Sequence, residues 1–243
     1  MIKIENVNVS GWKVAIRGMR NPLNSWEKSD SGYGCIERNI WGEEKEYGKL
    51  LCTNCGVTYD SHCVCHSTNG RNFVIGDNDL SLMKRLTKAG ADHRKFLRMI
   101  NVTMDISAPT YWWAEFDTYK VGTVRNSCSF MHKGTSNPFC IDDFSCCVSD
   151  IDDTMKLSAT WQNLLNTLNK LREKYIETKD KTIFQEIRNL LPSGYMQRST
   201  VQLNYEVLLN MYKSRKNHRL QEWRDFCNWI ETLPYFKEIC LED

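Results

Sequence analysis

Arg188 to Gln221 reads RNLLPSGYMQRSTVQLNYEVLLNMYKSRKNHRLQ, and the folding of this stretch decides most of the chain. From Met196 to Lys213 nothing breaks a helix, and apolar residues recur at helical spacing, which predicts a helix over 196–213. At about 100° per residue, Asn204 lies in the middle of an apolar arc formed by Met211, Leu208, Tyr212, Val207 and Leu203. Gln202, Glu206 and Lys213 take the opposite, solvent face. Asn210 sits at the edge of the arc, and Arg215 lies almost above Asn204 if the helix reaches it. An unpaired amide buried there costs roughly 1–3 kcal/mol, and an unpaired guanidinium more. Neighbouring backbone satisfies such groups in the ordinary case. Asn204, Asn210, Arg215 and the upstream Arg188 taken together point instead to a bound ligand.

The pattern R-x2-LP, then N-x5-N-x4-R, then Gln six residues on, resembles the C-terminal half of the flavin-dependent thymidylate synthases. Here it falls on Arg188, Leu191-Pro192, Asn204, Asn210, Arg215 and Gln221. The resemblance implies that Arg188 and Arg215 hold the nucleotide dUMP and that Asn204 and Asn210 lie against FAD. It makes Arg215 the catalytic candidate, through bidentate contact that stabilises charge developing on the pyrimidine. Glu206 stands where an arginine facing the FAD is common.

A second signature of that family, R-H-R-x7-S after a strand ending in Ala-Pro, is altered. Ala108-Pro109 match, but the signature positions carry Thr118, Tyr119, Lys120 and Cys128. By resemblance Thr118, Tyr119 and Lys120 are cofactor positions, and Glu115, Asn126 and Cys128 are substrate positions. Lys120 meets a phosphate as a point charge without the guanidinium fork. Tyr119 stacks or donates a hydrogen bond. Asn126 replaces a glutamate on the nucleotide, and Phe130 an arginine near its phosphate. Arg125, His132 and Lys133 either replace that arginine or are solvated loop charges.

The reaction implied is methylation of dUMP at C5. Methylene-tetrahydrofolate supplies the carbon, reduced FAD the hydride, and NADPH reduces the flavin. No enzyme cysteine attacks the base in that family, so Cys128 receives no nucleophilic role; a nucleophilic thiol needs a lowered pKa. The family's homotetramers imply an oligomer here.

The chain has 243 residues, of which 41% are hydrophobic, enough for a sizeable core. A net charge of +2 gives no broad field for nucleic acid. No run of about 18 apolar residues suggests a membrane span. The first residues lack a long apolar stretch, so no secretory signal is expected and the cytoplasm is the default location. Eleven cysteines are then expected to be reduced. Residues 29–72 read as a Cys-rich insertion. Within it Cys52-x2-Cys55-x7-Cys63-x-Cys65-His66 offers a structural zinc site of four thiolates, His66 being the alternative ligand. Unligated thiols are the rival reading.

Elsewhere a strand is expected from Ile2 to Val9, followed by a helix-like segment. There Ala15, Arg17 and Arg20 resemble the A-x-R-x-x-R beginning of the same family. A helix over 77–90, with Asp77 or Asn78 as N-cap, precedes a strand that places Arg98, Ile100, Val102, Met104 and Ile106 on one side. Ala108-Pro109 opens a helix to about Tyr119. A loop over 133–153 leads to a helix from Thr154 to Thr178, with Leu157, Trp161, Leu164, Leu165, Leu168 and Leu171 as its stripe. Helices at 181–191, 196–213 and 217–232 complete the chain. The order implies an α+β fold over a single domain, 1–243. It has a central antiparallel sheet flanked by helices and a long helical C-terminal half. Three functions compete: the dUMP methylating enzyme, a related enzyme on a modified pyrimidine nucleotide, and a non-catalytic nucleotide- or flavin-binding protein.

Overall fold

A computed structural model describes residues 2–33, 73–145 and 157–242. The cluster Cys52, Cys55, Cys63, Cys65 and His66 lies outside them, as do 154–156, the predicted start of the long helix. Among the described residues no group of His, Cys, Asp and Glu is arranged to hold a metal. No described helix is long and apolar enough to cross a membrane.

In chain order the elements are β1 (Lys3–Ser10), α1 (Trp12–Arg20), β2 (Gly32–Tyr33), β3 (Phe73–Val74), α2 (Asp77–Lys88), β4 (Asn101–Pro109), α3 (Thr110–Phe116), β5 (Val124–Ser127), α4 (Phe130–Lys133), α5 (Leu157–Thr178), α6 (Lys181–Leu190), β6 (Met196–Asn204), α7 (Tyr205–Arg215), α8 (Gln221–Ile230) and α9 (Phe236–Cys240). They form two compact units, 1–9 with 102–232 and 10–101 with 233–243. The α+β class with an antiparallel sheet holds.

The first unit is built on a four-stranded sheet in the order β1-β4-β6-β5. On β4 the expected alternation appears: Val102, Met104, Ile106 and Ala108 are buried, and the residues between them face the other side. Residues 196–204 are a strand, not the first half of a helix. Ser199, Val201 and Leu203 point inward, and Arg198, Thr200 and Gln202 point to solvent. Period two with β-branched Thr200 and Val201 prevails over the helical spacing, which becomes real only from Tyr205 onward. β6 pairs with β5 from Val124↔Gln202 to Ser127↔Ser199. The polar edge strand β5 (VRNS) shows no apolar alternation, so periodicity did not announce it.

On the solvent face Asp105 accepts from Asn6 Nδ2 at 2.8 Å, Arg198 Nη2 at 2.7 Å and Thr200 Oγ1 at 2.6 Å. Three strands are tied by one carboxylate, whose pKa these bonds, Thr200's first, pull far below its ordinary value. Beyond the sheet, the expected helices α5 and α6 pack together. Leu165, Leu168 and Ile187 join Phe139 and Phe144 in a core, with Trp161, Leu164 and Leu171 half-buried around it. Asn169 clamps the Phe139 backbone, accepting its N–H at 2.8 Å and donating to its carbonyl at 2.9 Å.

In the second unit Gly11 turns the chain from β1 into α1 at φ +96°; a Cβ there would stand 2.0 Å from the Met99 carbonyl oxygen. α2 starts without a cap from its own sequence. The Asp30 carboxylate, from 48 residues upstream of Asn78, accepts the N–H groups of Asn78 and Asp79. Asp79 itself is fully buried and paired with buried Arg20 at 2.6 Å. It also accepts the hydroxyls of Ser29 and Ser31. Residues 29–33, the start of the predicted insertion, are thereby fastened to α2, and β2 pairs with β3.

Burial pushes the Asp79 carboxyl up; hydrogen bonds from Ser31, Ser29 and Arg20 outweigh it, so the pKa lies below 3.8. A lowered folded pKa gives stability that is full above the unfolded value and lost as pH falls through the folded one. Urea unfolding of Asp79→Ala should show a loss of roughly 3–5 kcal/mol, because Arg20 is left buried and unpaired. Asp79→Asn should flatten the acid limb of the stability profile; an unchanged limb would assign it to other carboxylates.

Candidate functional site

The site begins where β4 passes into α3. The N–H groups of Thr110 and Tyr111 donate to the carbonyls of Tyr195 and Ser193, which satisfies the helix start. One face of α3 sends Trp112, Trp113 and Phe116 into an aromatic core with Trp223 and Phe226 of α8. Trp112 and Trp223 have ring centroids 4.8 Å apart. Glu115, half-buried, points to the C-terminal end of α7. Arg215, the last residue of that helix, meets it there.

Arg215 Nη1 donates to Glu115 Oε2 at 2.5 Å, and Arg215 Nε donates to the Tyr119 hydroxyl at 3.0 Å. The guanidinium lies 4.8 Å from the Trp223 ring centroid. Trp223 Nε1 donates to the same Glu115 oxygen at 2.9 Å. His218 Nε2 is 3.0 Å from Arg215 Nη1 and 3.5 Å from Glu115 Oε2, while Nδ1 accepts the Leu220 N–H. Two atoms remain unspent. Arg215 Nη2 and Glu115 Oε1 make no hydrogen bond among the described residues. One ion pair therefore leaves a donor on Arg215 and an acceptor on Glu115, each on a partly exposed residue beside the Tyr119 and Trp223 rings.

Of the residues read as binding positions, Arg215, Glu115 and Tyr119 come together. Asn204 does not join them. It ends β6 and caps α7, accepting the Val207 N–H on Oδ1 at 3.1 Å. With the helix starting at Tyr205, Asn204 and Arg215 stand at opposite ends of it, about 16 Å apart by helical rise. Asn204 instead meets the loop after α3. Gly122, at φ +79°, lies against it; a Cβ there would come 2.9 Å from Asn204 Nδ2 and 3.2 Å from Val207 Cγ2. That loop carries Thr118, Tyr119 and Lys120. Thr118 donates to the Glu115 carbonyl at 2.7 Å, and Lys120 is exposed. The close approach at Gly122 brings the loop that carries these positions against Asn204.

The other candidates stand apart. Asn210 is exposed in the second turn of α7. Arg188 is exposed, with Nη1 3.6 Å from Met131 Sδ. Asn126 is exposed on β5 opposite Thr200. Cys128 is exposed, its N–H bonded to the Arg198 carbonyl. Arg125, read either as a replacement arginine or as a solvated loop charge, is engaged on its own sheet face. Its nitrogens are committed to Ser199 at 2.9 Å, Asp117 at 2.7 Å and Gln197 at 2.6 Å, and it stacks 3.8 Å over Trp113. Glu206 is buried, not on a solvent face, because the helix begins one residue before it. His218 and Trp223 were missed by sequence reading. The available signal was a histidine three and a tryptophan eight residues after Arg215, spanning a helix–turn–helix corner.

Two neighbours have altered acidity. Tyr212 donates to Glu231 at 2.7 Å, which pushes its phenol up to about 12. Burial, with Glu231 adding and Arg215 opposing, raises the Cys227 thiol to about 11. Neither is a nucleophile at neutral pH.

Comparison with known proteins finds the same fold. The chain superposes on the flavin-dependent thymidylate synthase ThyX from Helicobacter pylori, solved with FAD and dUMP. The TM-score is 0.62 at 15% identity, covering 100% of this chain and 98% of that one. A second structure of the Helicobacter pylori enzyme, also with FAD and dUMP, gives 0.62 and 15% over 99% and 98%. No protein-family model matches the sequence, and no curated protein matches it significantly.

Two outcomes are expected. Gly122→Ala should destabilise the fold by about 1–2 kcal/mol in thermal or urea unfolding, from the left-handed backbone alone. Iodoacetamide at pH 8, followed by peptide mapping, should label exposed Cys128 and Cys140 and spare Cys227. Equal labelling of Cys227 would contradict its burial.

Proposed function

We propose that this chain transfers a one-carbon unit to C5 of a pyrimidine deoxynucleotide, dUMP to dTMP. Methylene-tetrahydrofolate and NADPH are the co-substrates, and FAD is the cofactor. The observation that carries this reading is the pair of unspent atoms on Arg215 and Glu115. A uracil ring offers a carbonyl next to an N–H, and a free guanidinium N–H with a free carboxylate oxygen supplies the donor and the acceptor these need. The likeness of fold to a protein solved with FAD and dUMP supports it.

Arg215 Nη2 donates to a uracil carbonyl and favours the charge that develops there as C5 reacts. Glu115 Oε1 accepts the ring N–H. Its other oxygen, held by Arg215 and Trp223, keeps the guanidinium aimed before substrate arrives. The Tyr119 hydroxyl accepts from Arg215 Nε, so its own proton is free to donate to the ligand. Thr118 and Lys120, on the loop whose Gly122 lies against Asn204, and the Asn204 amide would hold the flavin, which supplies the hydride. Lys120 gives the loop a phosphate-binding charge.

The commitment of Arg125 favours a second reading. With that arginine spent and Thr118-Tyr119-Lys120 in place of R-H-R, phosphate contacts on this side are reduced. A modified pyrimidine nucleotide, anchored by its base edge, then becomes the substrate.

The test is flavin absorbance of the purified protein with added FAD, titrated with dUMP, followed by turnover. Bound flavin whose spectrum shifts with dUMP is expected, and Arg215→Lys should lower kcat/KM about 10²-fold. A protein that binds neither flavin nor dUMP would overturn the proposal. Turnover restricted to another pyrimidine nucleotide would select the second reading. Sedimentation should find a homotetramer.

A further inference from the structure

A cleft of about 530 Å³ opens in the second unit, lined among others by Lys13, Ile16, Arg17, Trp26, Ser31 and Phe73. Its volume falls in the range of small-molecule sites, roughly 300–1,000 Å³. It shares no residue with the Arg215 cluster.

Charge is unbalanced there. Lys13 and Arg17 stand one turn apart on α1, both exposed, and neither has an ion-pair partner among the described residues. Like charges at that spacing repel. Lys13 also sits in the first helical turn, where the dipole disfavours a cation and no acidic residue offsets it. Arg20, the third cation at the cleft, is neutralised by Asp79. Among the described residues, two positive charges therefore line the cleft without an ion-pair partner.

The aromatic surface is equally specific. Trp26 is 47% exposed, and its indole N–H donates to Asn21 Oδ1 at 2.8 Å, which restrains the ring. Phe73 is placed at the cleft by the pairing of β3 with β2, and Ile16 adds an apolar patch. Rings beside cations suit a planar heterocycle that carries an anion: the ring stacks, and the anion bridges the cations.

We infer that this cleft binds a mononucleotide, with its phosphate between Lys13 and Arg17 and its base against Trp26 and Phe73. The site is independent of the function proposed for Arg215.

The test uses the full chain labelled with 5-fluorotryptophan and titrated with AMP by fluorine NMR. Trp26→Phe assigns the reporter resonance. A saturable shift of that resonance is expected, with inorganic phosphate binding at least tenfold more weakly. Lys13→Gln and Arg17→Gln should each raise the AMP Kd about tenfold. Both side chains are exposed, so folding should be unaffected. Arg215→Lys should leave the AMP response intact, which separates this site from the other. Absence of a saturable shift at millimolar AMP, equal binding of phosphate alone, or charge variants with unchanged Kd would each overturn the inference.

Discussion

Asn204 is both the last residue of β6 and the N-cap of α7. Its backbone is still extended, at φ −132° and ψ 170°, while its side chain accepts the N–H of Val207, the third residue of the helix. This junction sets two phases at once. Upstream, it puts Leu203 and Val201 into the core; a slip by one residue would turn both to solvent. Downstream, it starts an eleven-residue helix whose last side chain is Arg215. A start one residue later would rotate that side chain by about 100° away from Glu115. The candidate site therefore depends on a strand-to-helix switch at the far end of its own helix.

What holds the site in place is apolar. Trp112, Trp113 and Phe116 on α3 meet Trp223 and Phe226 on α8, and such pairs contribute about 0.5–1.5 kcal/mol each beyond their buried area. The Arg215–Glu115 pair is partly exposed and contributes roughly 0–1 kcal/mol. The aromatic core therefore fixes where α3 and α8 lie, and the ion pair fixes where the guanidinium points. One cost is visible: the Trp112 indole N–H is buried with no acceptor among the described residues, a penalty of roughly 1–3 kcal/mol that the packing absorbs.

Elements with one dominant period were legible in the sequence. β4 alternates cleanly, and α5 shows its stripe from Trp161 to Leu171. The stretch 196–215 carries two periods that overlap: Leu203, Val207 and Met211 have helical spacing although Leu203 belongs to a strand. Pairing with β4 and β5 on either side decides the case, and β5 is a four-residue polar strand with no signal of its own. The Asp30 cap of α2 was hidden for a similar reason, because its donors lie 48 and 49 residues away. Arg215 stood out on its helical face, and Glu115 and Tyr119 came only from the resemblance to a known family. Their partners His218 and Trp223 emerged by neither route, since a corner between helices, not a repeat, brings them in.

The charge pattern of the site explains what its altered signature costs. Arg215 and Glu115 together are neutral, and the two atoms they leave free present one donor and one acceptor. Such a pair distinguishes the edge of a neutral base; it attracts a phosphate dianion poorly, because the carboxylate repels what the guanidinium draws in. Lys120 is the charge left on the adjoining loop, and it carries no fork to fix a phosphate in one orientation. Arg125 could supply that fork only by giving up Ser199, Asp117, Gln197 and its stack on Trp113. As charges alone, the cluster is therefore better matched to a neutral hydrogen-bonding edge than to an anion.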